Sequence, residues 1–169
     1  NGNNIMRLIK LAIISAVVFT VLVFLMSLLI PSHVRISRAD NINVPLSRVA
    51  TLVQDLDSWP DWNVPVKNAG LMEYQPWNRK LVGEKLEISL KRTTGDSIFT
   101  VWKNQHGKEI AGVFSLKQEG GLTIVQFYFD FYQRLYPWEK FASINLDKQW
   151  GPSMEKSLAN LKKIAEQGQ

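Results

Sequence analysis

The hydrophobic pattern of this chain divides it into one long apolar run and a following region of alternating and helical periodicities. Residues 11–30, LAIISAVVFTVLVFLMSLLI, carry no charged side chain. At about 1.5 Å of rise per residue, a helix of this length spans roughly 30 Å, the hydrocarbon thickness of a bilayer. A helix also satisfies its own backbone groups, as the membrane interior requires. The run therefore predicts a transmembrane helix, preceded by a short tail at residues 1–10.

Two other interpretations of the run compete with a membrane anchor. A cleavable signal peptide has an apolar core of about 7 to 15 residues and small residues at its cleavage site. The run is longer than that, and residues 26–32 lack the small-x-small pattern. A buried helix of a soluble core rarely runs this long without a polar face. The sequence favours the anchor, and Met6 is a candidate for the start of translation.

The charges beside the apolar run give a weak indication of its orientation. Arg7 and Lys10 precede it, whereas Arg35 and Arg38 follow it, with His33 largely neutral at pH 7. Cytoplasmic flanks carry an excess of lysine and arginine, and here the two flanks are balanced. The usual signal-anchor arrangement keeps the short tail in the cytoplasm, so a single-pass protein with an exported, periplasmic domain is the expectation.

Downstream of the run the pattern predicts a strand, a helix and an irregular turn. Alternate positions of residues 33–44 are largely apolar, which indicates a strand with one buried face. Residues 45–56, PLSRVATLVQDL, repeat apolar side chains at spacings of three and four, which predicts a helix opened by proline. Residues 57–65, DSWPDWNVP, are typical of a tight turn or a single helical turn. Trp59 and Trp62 either close one end of the core or form the wall of a ligand pocket.

Between residues 71 and 132 apolar and polar side chains alternate, and the turn sequences TTGD, QHG and EGG separate the runs. This arrangement predicts an antiparallel meander. Gly83 and Gly112 are candidate bulge positions where the sheet would curve.

The last predicted strand, residues 122–132, has two contrasting faces. One face carries Val125, Phe127, Phe129 and Phe131. The other carries Gln126, Tyr128, Asp130 and Tyr132. The first face belongs to the core, and the second is either exposed to solvent or the polar lining of a cavity.

The C-terminal region predicts two helical segments. Residues 138–149 are expected to be partly helical, and Gly151 with Pro152 forms a bend before a second helix over residues 153–166. Apolar side chains at positions 154, 158, 161 and 165 share one face of that helix. This helix is therefore expected to lay an apolar stripe on the sheet.

Composition removes several classes of function. The net charge is +5, but the basic residues are spread along the chain, whereas nucleic-acid binding requires them clustered on one surface. A mild attraction to anionic lipid beside the anchor fits this charge better. The chain has no cysteine and two histidines without metal-ligand spacing. Neither a metal site nor a cofactor is expected, since phosphate-loop and dinucleotide motifs are also missing from the sequence.

The order of the predicted elements resembles the helix-grip fold of the SRPBCC superfamily, an α+β fold in which a curved antiparallel sheet wraps a long C-terminal helix. The similarity covers residues 34–166, within a predicted domain at residues 31–169. It is carried by the opening INVPLSRVATLVQDLDSWPDWN and the closing WGPSMEKSLANLKKIAE. The superfamily includes START lipid-transfer domains and polyketide cyclase/dehydrase types. The stretch FYFDFYQRLYPWEKF is similar to a membrane-anchored bacterial subgroup.

The resemblance implies a cavity for an apolar ligand between the sheet and the last helix. The candidate wall residues are Trp59, Trp62, Trp77, Trp102, Phe114, Tyr128, Asp130 and Phe141. The alternative for each of the seven aromatic residues is ordinary core packing.

Asp130 is the acid that attracts attention, because it lies between Tyr128 and Tyr132 on one strand face. A buried carboxyl group there would act as a general acid or base. The alternative is a solvated carboxylate, or one paired with an arginine such as Arg134. No complete acid–base constellation accompanies it, so catalysis is not expected.

Three functions follow from these patterns. The first is a membrane-tethered module that binds a lipid or another apolar molecule. The second is an accessory subunit of a larger membrane protein complex, in which small residues such as Ser15, Ala16 and Ser27 would permit close helix contact. The third is a cyclase or hydrolase of the polyketide cyclase type. The superfamily fold does not choose among them.

Overall fold

The computed structural model describes residues 2–167, with side chains from residue 4 onwards. The chain forms two compact units. The first unit contains residues up to 34 together with 132–144, and the second contains 35–131 together with residues from 145 onwards.

Fifteen elements follow one another along residues 2–167. The helices are α1 (Gly2–Leu28), α2 (Leu46–Gln54), α3 (Trp59–Trp62), α4 (Val64–Asn68), α5 (Pro137–Ser143) and α6 (Leu146–Gln167). The strands are β1 (His33–Ile42), β2 (Met72–Gln75), β3 (Lys80–Gly83), β4 (Leu86–Thr94), β5 (Ser97–Asn104), β6 (Glu109–Glu119) and β7 (Leu122–Tyr132). Two single 3₁₀ turns, Leu56–Ser58 and Pro76–Asn78, complete the order.

The first unit is dominated by α1. Its residues 4–28 are long and apolar enough to cross a membrane, with a mean hydropathy of 2.8, and only 6% of the apolar window is buried. The helix includes residues 2–10, which the sequence assigns to a tail. Ser27 is fully buried, unlike its neighbours, and its hydroxyl donates to the carbonyl oxygen of Phe24 at 2.7 Å.

The second unit is built on a seven-stranded sheet in the order β1-β7-β6-β5-β4-β3-β2. Successive strands from β2 to β7 pair antiparallel, which confirms the predicted meander. The pairing shifts between Leu90 and Arg92, where β4 carries a bulge against β5. Gly112 pairs in regular register with Thr100 and Phe129, so the prediction of a bulge at Gly112 is wrong.

Burial within β7 follows the predicted alternation except at Asp130, which is only 8% exposed although it lies on the other face. Val125, Phe127, Phe129 and Phe131 are all buried. The core of the second unit also contains buried apolar residues of α6, among them Met154, Leu158 and Leu161. A curved antiparallel sheet with a long C-terminal helix is the arrangement that the sequence predicts.

Helix α6 differs from the prediction because it continues through Gly151 and Pro152 instead of bending there. The guanidinium group of Arg38 occupies the space that a Cβ at Gly151 would fill. Arg38 binds Asp147 at 2.9 Å and Glu155 at 2.6 Å, one turn before and one turn after Gly151. Pro152 has no backbone N–H to donate within the helix, and these ion pairs bridge that turn. The hydrogen bond to Glu155 also raises the pKa of Arg38.

Candidate functional site: the aromatic interior

An aromatic cluster fills the space on the inner face of the sheet. Its central members are Trp59 and Trp62 of α3, Trp102 of β5 and Phe114 of β6, and none is more than 1% exposed. The ring of Trp59 lies 5.2 Å from Trp62 and 5.6 Å from both Trp102 and Phe114, measured between centroids. Phe114 stacks on Phe127 at 4.1 Å. Aromatic pairs at these separations are favourable beyond the area that they bury.

The turn that contains Trp59 and Trp62 folds locally because its side chains cap its own helices. Asp55 accepts a hydrogen bond from the backbone N–H of Asp57, and Asn63 accepts one from Val66. Pro60 and Pro65 occupy early helical positions, where a missing N–H costs nothing. The predicted irregular turn is therefore a chain of short helices that presents two indoles to the interior.

Helix α6 is tied to this turn by side-chain hydrogen bonds. The hydroxyl of Ser157 accepts from the backbone N–H of Val64 at 2.9 Å, and the amide of Asn160 donates to the carbonyl oxygen of Trp62 at 3.1 Å. Both α6 residues lie within the helix that the sequence predicts to grip the sheet. The backbone at Trp62 and Val64 is thus tied to α6, whereas the indole ring of Trp62 is not.

The indole N–H groups of the cluster differ in how they are satisfied. Trp59 donates to the carbonyl oxygen of Val53 at 3.0 Å, and Trp102 donates to the hydroxyl of Thr100 at 3.0 Å. Trp62 Nε1 is buried and has no hydrogen-bond partner among the described residues. The side-chain nitrogen of the neighbouring Asn63 is also buried without a hydrogen-bond partner among the described residues. A buried donor without a partner costs about 1–3 kcal/mol, so an acceptor that reached Trp62 would recover that energy.

Gly112 permits the packing of Trp102. A Cβ at this position would lie 2.8 Å from Trp102 Nε1, 2.9 Å from Thr100 Oγ1 and 2.9 Å from Phe129 Cε1. Thr100 also donates to the carbonyl oxygen of Gly112 at 2.8 Å, so a hydrogen-bonded chain runs from the indole through the hydroxyl to the backbone. Glycine at this strand position marks a close approach of side chains and not a bulge.

The other predicted wall residues lie elsewhere. Trp77 is 77% exposed on a 3₁₀ turn, and Phe141 belongs to α5 in the first unit. Tyr128 and Asp130 lie on the face of β7 opposite Phe127 and Phe129, since successive side chains of a strand point to opposite faces. Within the second unit, the structure therefore brings together Trp59, Trp62, Trp102 and Phe114, whereas Trp77, Tyr128 and Asp130 lie outside this cluster.

Asp130 is engaged in an ion pair on the outer face of the sheet. Arg35 binds both carboxylate oxygens, at 2.7 and 2.9 Å, and its guanidinium lies 4.2 Å above the ring of Tyr128. The sequence suggests Arg134 as one candidate ion-pair partner of Asp130. In the structure the partner is Arg35. In the alternating pattern of β1, Arg35 lies on the outward face, and this position could have indicated it as the partner of Asp130. A fork-like pair of this kind holds the carboxylate in place rather than leaving it available to a substrate.

Trp150 is a residue of the interior that the sequence reasoning missed. Its ring lies 5.0 Å from Phe129 and 5.9 Å from Phe131. The sequence pattern places Trp150 between the partly helical residues 138–149 and the expected bend at Gly151, whereas in the structure it lies inside the continuous helix α6. Among the described side chains there is no group of three His, Asp or Glu that could hold a metal ion.

Comparisons with known proteins show which solved structures have a similar fold. No protein-family model and no curated protein sequence matches the chain. Among solved structures, a START superfamily protein from Mycobacterium smegmatis superposes with a TM-score of 0.56 at 18% identity, covering 80% of this chain and 99% of the other. Protein MLL2253 from Mesorhizobium loti gives a TM-score of 0.58 at 9% identity, with the same two coverages of 80% and 99%.

A third similar structure is DynU16, a protein of the dynemicin biosynthetic locus. It superposes with a TM-score of 0.54 at 15% identity and covers 82% of this chain. The match spans about half of DynU16, 49% of its length. At these identities the likeness concerns the fold alone. Together with the sheet order and the long last helix, it shows that this chain adopts a START-like helix-grip fold.

Proposed function

We propose that this protein is a membrane-tethered module that binds an apolar molecule carrying a hydrogen-bond acceptor. The observation that carries the proposal is the unpartnered Trp62 Nε1 within an otherwise apolar aromatic interior. Apolar walls with one or two placed polar groups are the usual composition of small-molecule sites. A fatty acid or a lipid ester supplies both an apolar chain and an acceptor oxygen.

Helix α1 supports the tethered part of the proposal. Its exposed apolar surface over residues 4–28 needs an apolar environment, and a bilayer supplies one of matching thickness. A tether raises the effective concentration of the binding domain beside ligands that reside in the same membrane. The exported orientation remains the expectation from the sequence and belongs to this proposal.

Binding would require the aromatic side chains to rearrange, because they occupy the space that a ligand would take. Trp62 is the member best suited to move, since rotating its ring breaks no hydrogen bond of its indole. Rotating Trp59 or Trp102 would each break one. The proposed ligand therefore displaces the ring of Trp62 and accepts its N–H.

The test uses the full-length protein in mild detergent with a dansyl-labelled long-chain fatty acid as the probe. Trp62→Phe removes the indole N–H and keeps an aromatic ring, so probe affinity should fall several-fold. Trp77→Phe is the matched control, because Trp77 is exposed outside the cluster, and it should bind like the unmodified protein. Native mass spectrometry of protein extracted from its own membrane would identify the natural ligand. Equal affinity for the Trp62 and Trp77 variants, or no probe binding at all, would refute the proposal.

A second candidate function is a docking subunit of a membrane protein complex. The close packing of Trp59, Trp62, Trp102 and Phe114 favours it, because a subunit with a closed interior needs no ligand. The same mass spectrometry distinguishes the two functions. A stoichiometric assembly with an empty domain would support the subunit, whereas a monomer with a bound apolar mass would support the carrier.

A further inference from the structure

The surface of α5 and its flanks has an inverted distribution of polar and apolar side chains. Trp138 is 67% exposed, and Ile144 is 62% exposed. Lys140 is only 3% exposed, and Ser143 is also buried. A helix at the surface of a soluble protein has the opposite distribution, because its lysines are exposed to water and its apolar face packs inward. Side chains of this segment are thus arranged as they would be against an apolar medium.

The buried lysine has a specific role within the first unit. Its ammonium group donates to the carbonyl oxygen of Ile30, just beyond the end of α1, at 2.8 Å. A positive charge at a helix C-terminus also interacts favourably with the helix dipole. Lys140 therefore fastens α5 to the end of α1 and leaves the apolar residues of α5 facing outward.

Contact between the two helices continues along α1 toward its middle. An open groove of about 430 Å³ lies between them. It is lined by Phe19, Thr20, Val23, Phe24, Tyr136, Pro137 and Trp138. The exposed apolar surface of α5 is therefore continuous with that of α1.

The groove also sets the level of α5 along the membrane helix. At about 1.5 Å per residue, positions 19–24 of α1 lie roughly 6 to 14 Å before its last residue. If residues 11–30 span the hydrocarbon layer as proposed, this level lies between the middle of that layer and its outer part, whereas Ile30, which Lys140 binds, lies at the boundary with the headgroups. Tryptophan and tyrosine are enriched at that boundary, because their rings are apolar and carry one polar group. Tyr136 and Trp138, four and two residues before Lys140, stack on each other at 4.9 Å with nearly parallel rings.

We propose that residues 135–144 form a second membrane-contact segment, which lies in the lipid interface beside α1 and inserts Trp138, Phe141 and Ile144 among the acyl chains. The occupant of this surface is the phospholipid bilayer itself. The proposal rests on the proposed tether, since α5 reaches the bilayer only when α1 spans it. Such a segment would give the first unit a second contact with the bilayer besides α1.

The chain has no cysteine, so single labels can be placed without altering other residues. Trp138→Cys and Ile144→Cys, each carrying an environment-sensitive NBD group, test the segment in full-length protein reconstituted into vesicles of phosphatidylcholine and phosphatidylglycerol. Val17→Cys reports on α1, and Gly95→Cys, at an exposed turn with open space around it, is the aqueous control. The quenchers are doxyl-labelled phospholipid and aqueous iodide.

Labels at 138 and 144 should be quenched by doxyl lipid like the label at 17 and should resist iodide several-fold better than the label at 95. Lipid quenching at 17 with iodide quenching at 138 and 144 would refute the segment and keep the tether. A label at 17 that doxyl lipid does not quench would refute the tether, and the segment with it. Labels at 138 and 144 protected from both quenchers would assign this surface to contacts between protein copies and would overturn the lipid proposal.

Discussion

Replacing Gly112 by alanine should destabilise the aromatic interior. The added methyl group would lie under 3.0 Å from Trp102 Nε1, Thr100 Oγ1 and Phe129 Cε1. Each of these atoms belongs to a buried side chain, so none can move into open space. The methyl group would also press on the hydroxyl that links the indole of Trp102 to the backbone of Gly112.

The expected change in the free energy of unfolding has three contributions, two that destabilise the variant and one that stabilises it. Overpacking a close-packed core by one methyl group costs about 1–3 kcal/mol. Disturbing the hydrogen-bonded link adds about 0.5–1.5 kcal/mol. Alanine restricts the unfolded chain, which returns about 0.4–1 kcal/mol. The expected net loss is about 2 kcal/mol, which lowers Tm by roughly 4–8 °C for a chain of this size.

The assay is thermal and urea-induced unfolding of full-length protein in one detergent, followed by tryptophan fluorescence. Gly121→Ala is the matched control, because a Cβ there meets nothing within 4 Å and the residue has no positive φ. It should be neutral or slightly stabilising. If the two alanine variants unfold together, the close approach at Gly112 does not limit the packing of the interior.

Three further substitutions test the ion pairs of the second unit. Asp130→Asn should lower stability by about 1 kcal/mol, because Arg35 loses its charged partner, and should leave fatty-acid probe affinity unchanged; a loss of binding would contradict the outward placement of this residue. The hydrogen bond from Lys80 lowers the pKa of Glu87, so this pair stabilises the fold above the ordinary carboxyl pKa and the effect disappears as pH falls through the lowered value. Glu87→Gln should therefore lower Tm at neutral pH but not in acid, and a gap that is independent of pH would rule this out. Arg38→Ala should cost stability in the native background but little in a Gly151→Ala background, where the guanidinium has already been displaced; additive effects in urea unfolding would oppose the bridging role of Arg38.

Local periodicity was sufficient to predict much of the fold. The alternation in β7 identified its buried face, and the turn sequences separated the strands of the meander in the correct order. These features depend on neighbouring residues, whose pattern reports burial directly. The apolar run likewise predicted α1, although the helix begins earlier, at Gly2.

Contacts between distant residues account for what the sequence did not predict. The bend at Gly151 and Pro152 was a sound local inference, but Arg38 spans it through partners 109 and 117 positions away. Asp130 is paired with Arg35, 95 positions away, whereas the sequence suggested a near neighbour. Composition also did not separate the buried Trp102 from the exposed Trp77, although Trp102 follows the apolar residue Val101 and Trp77 is followed by Asn78 and Arg79.

The packed interior limits which ligands the proposed carrier could hold. Withdrawing an aromatic side chain from a core costs about 3–5 kcal/mol, which is a factor of roughly a hundred or more in affinity. Each methylene group that a ligand buries returns about 0.8 kcal/mol, so about four to six of them only offset the displacement of Trp62. An acceptor oxygen on Trp62 Nε1 contributes further, since that donor is otherwise unsatisfied. A carrier with this interior must therefore bind long acyl chains and not short ones. A docking subunit, in contrast, is stabilised by the same aromatic packing and needs no displacement of Trp62.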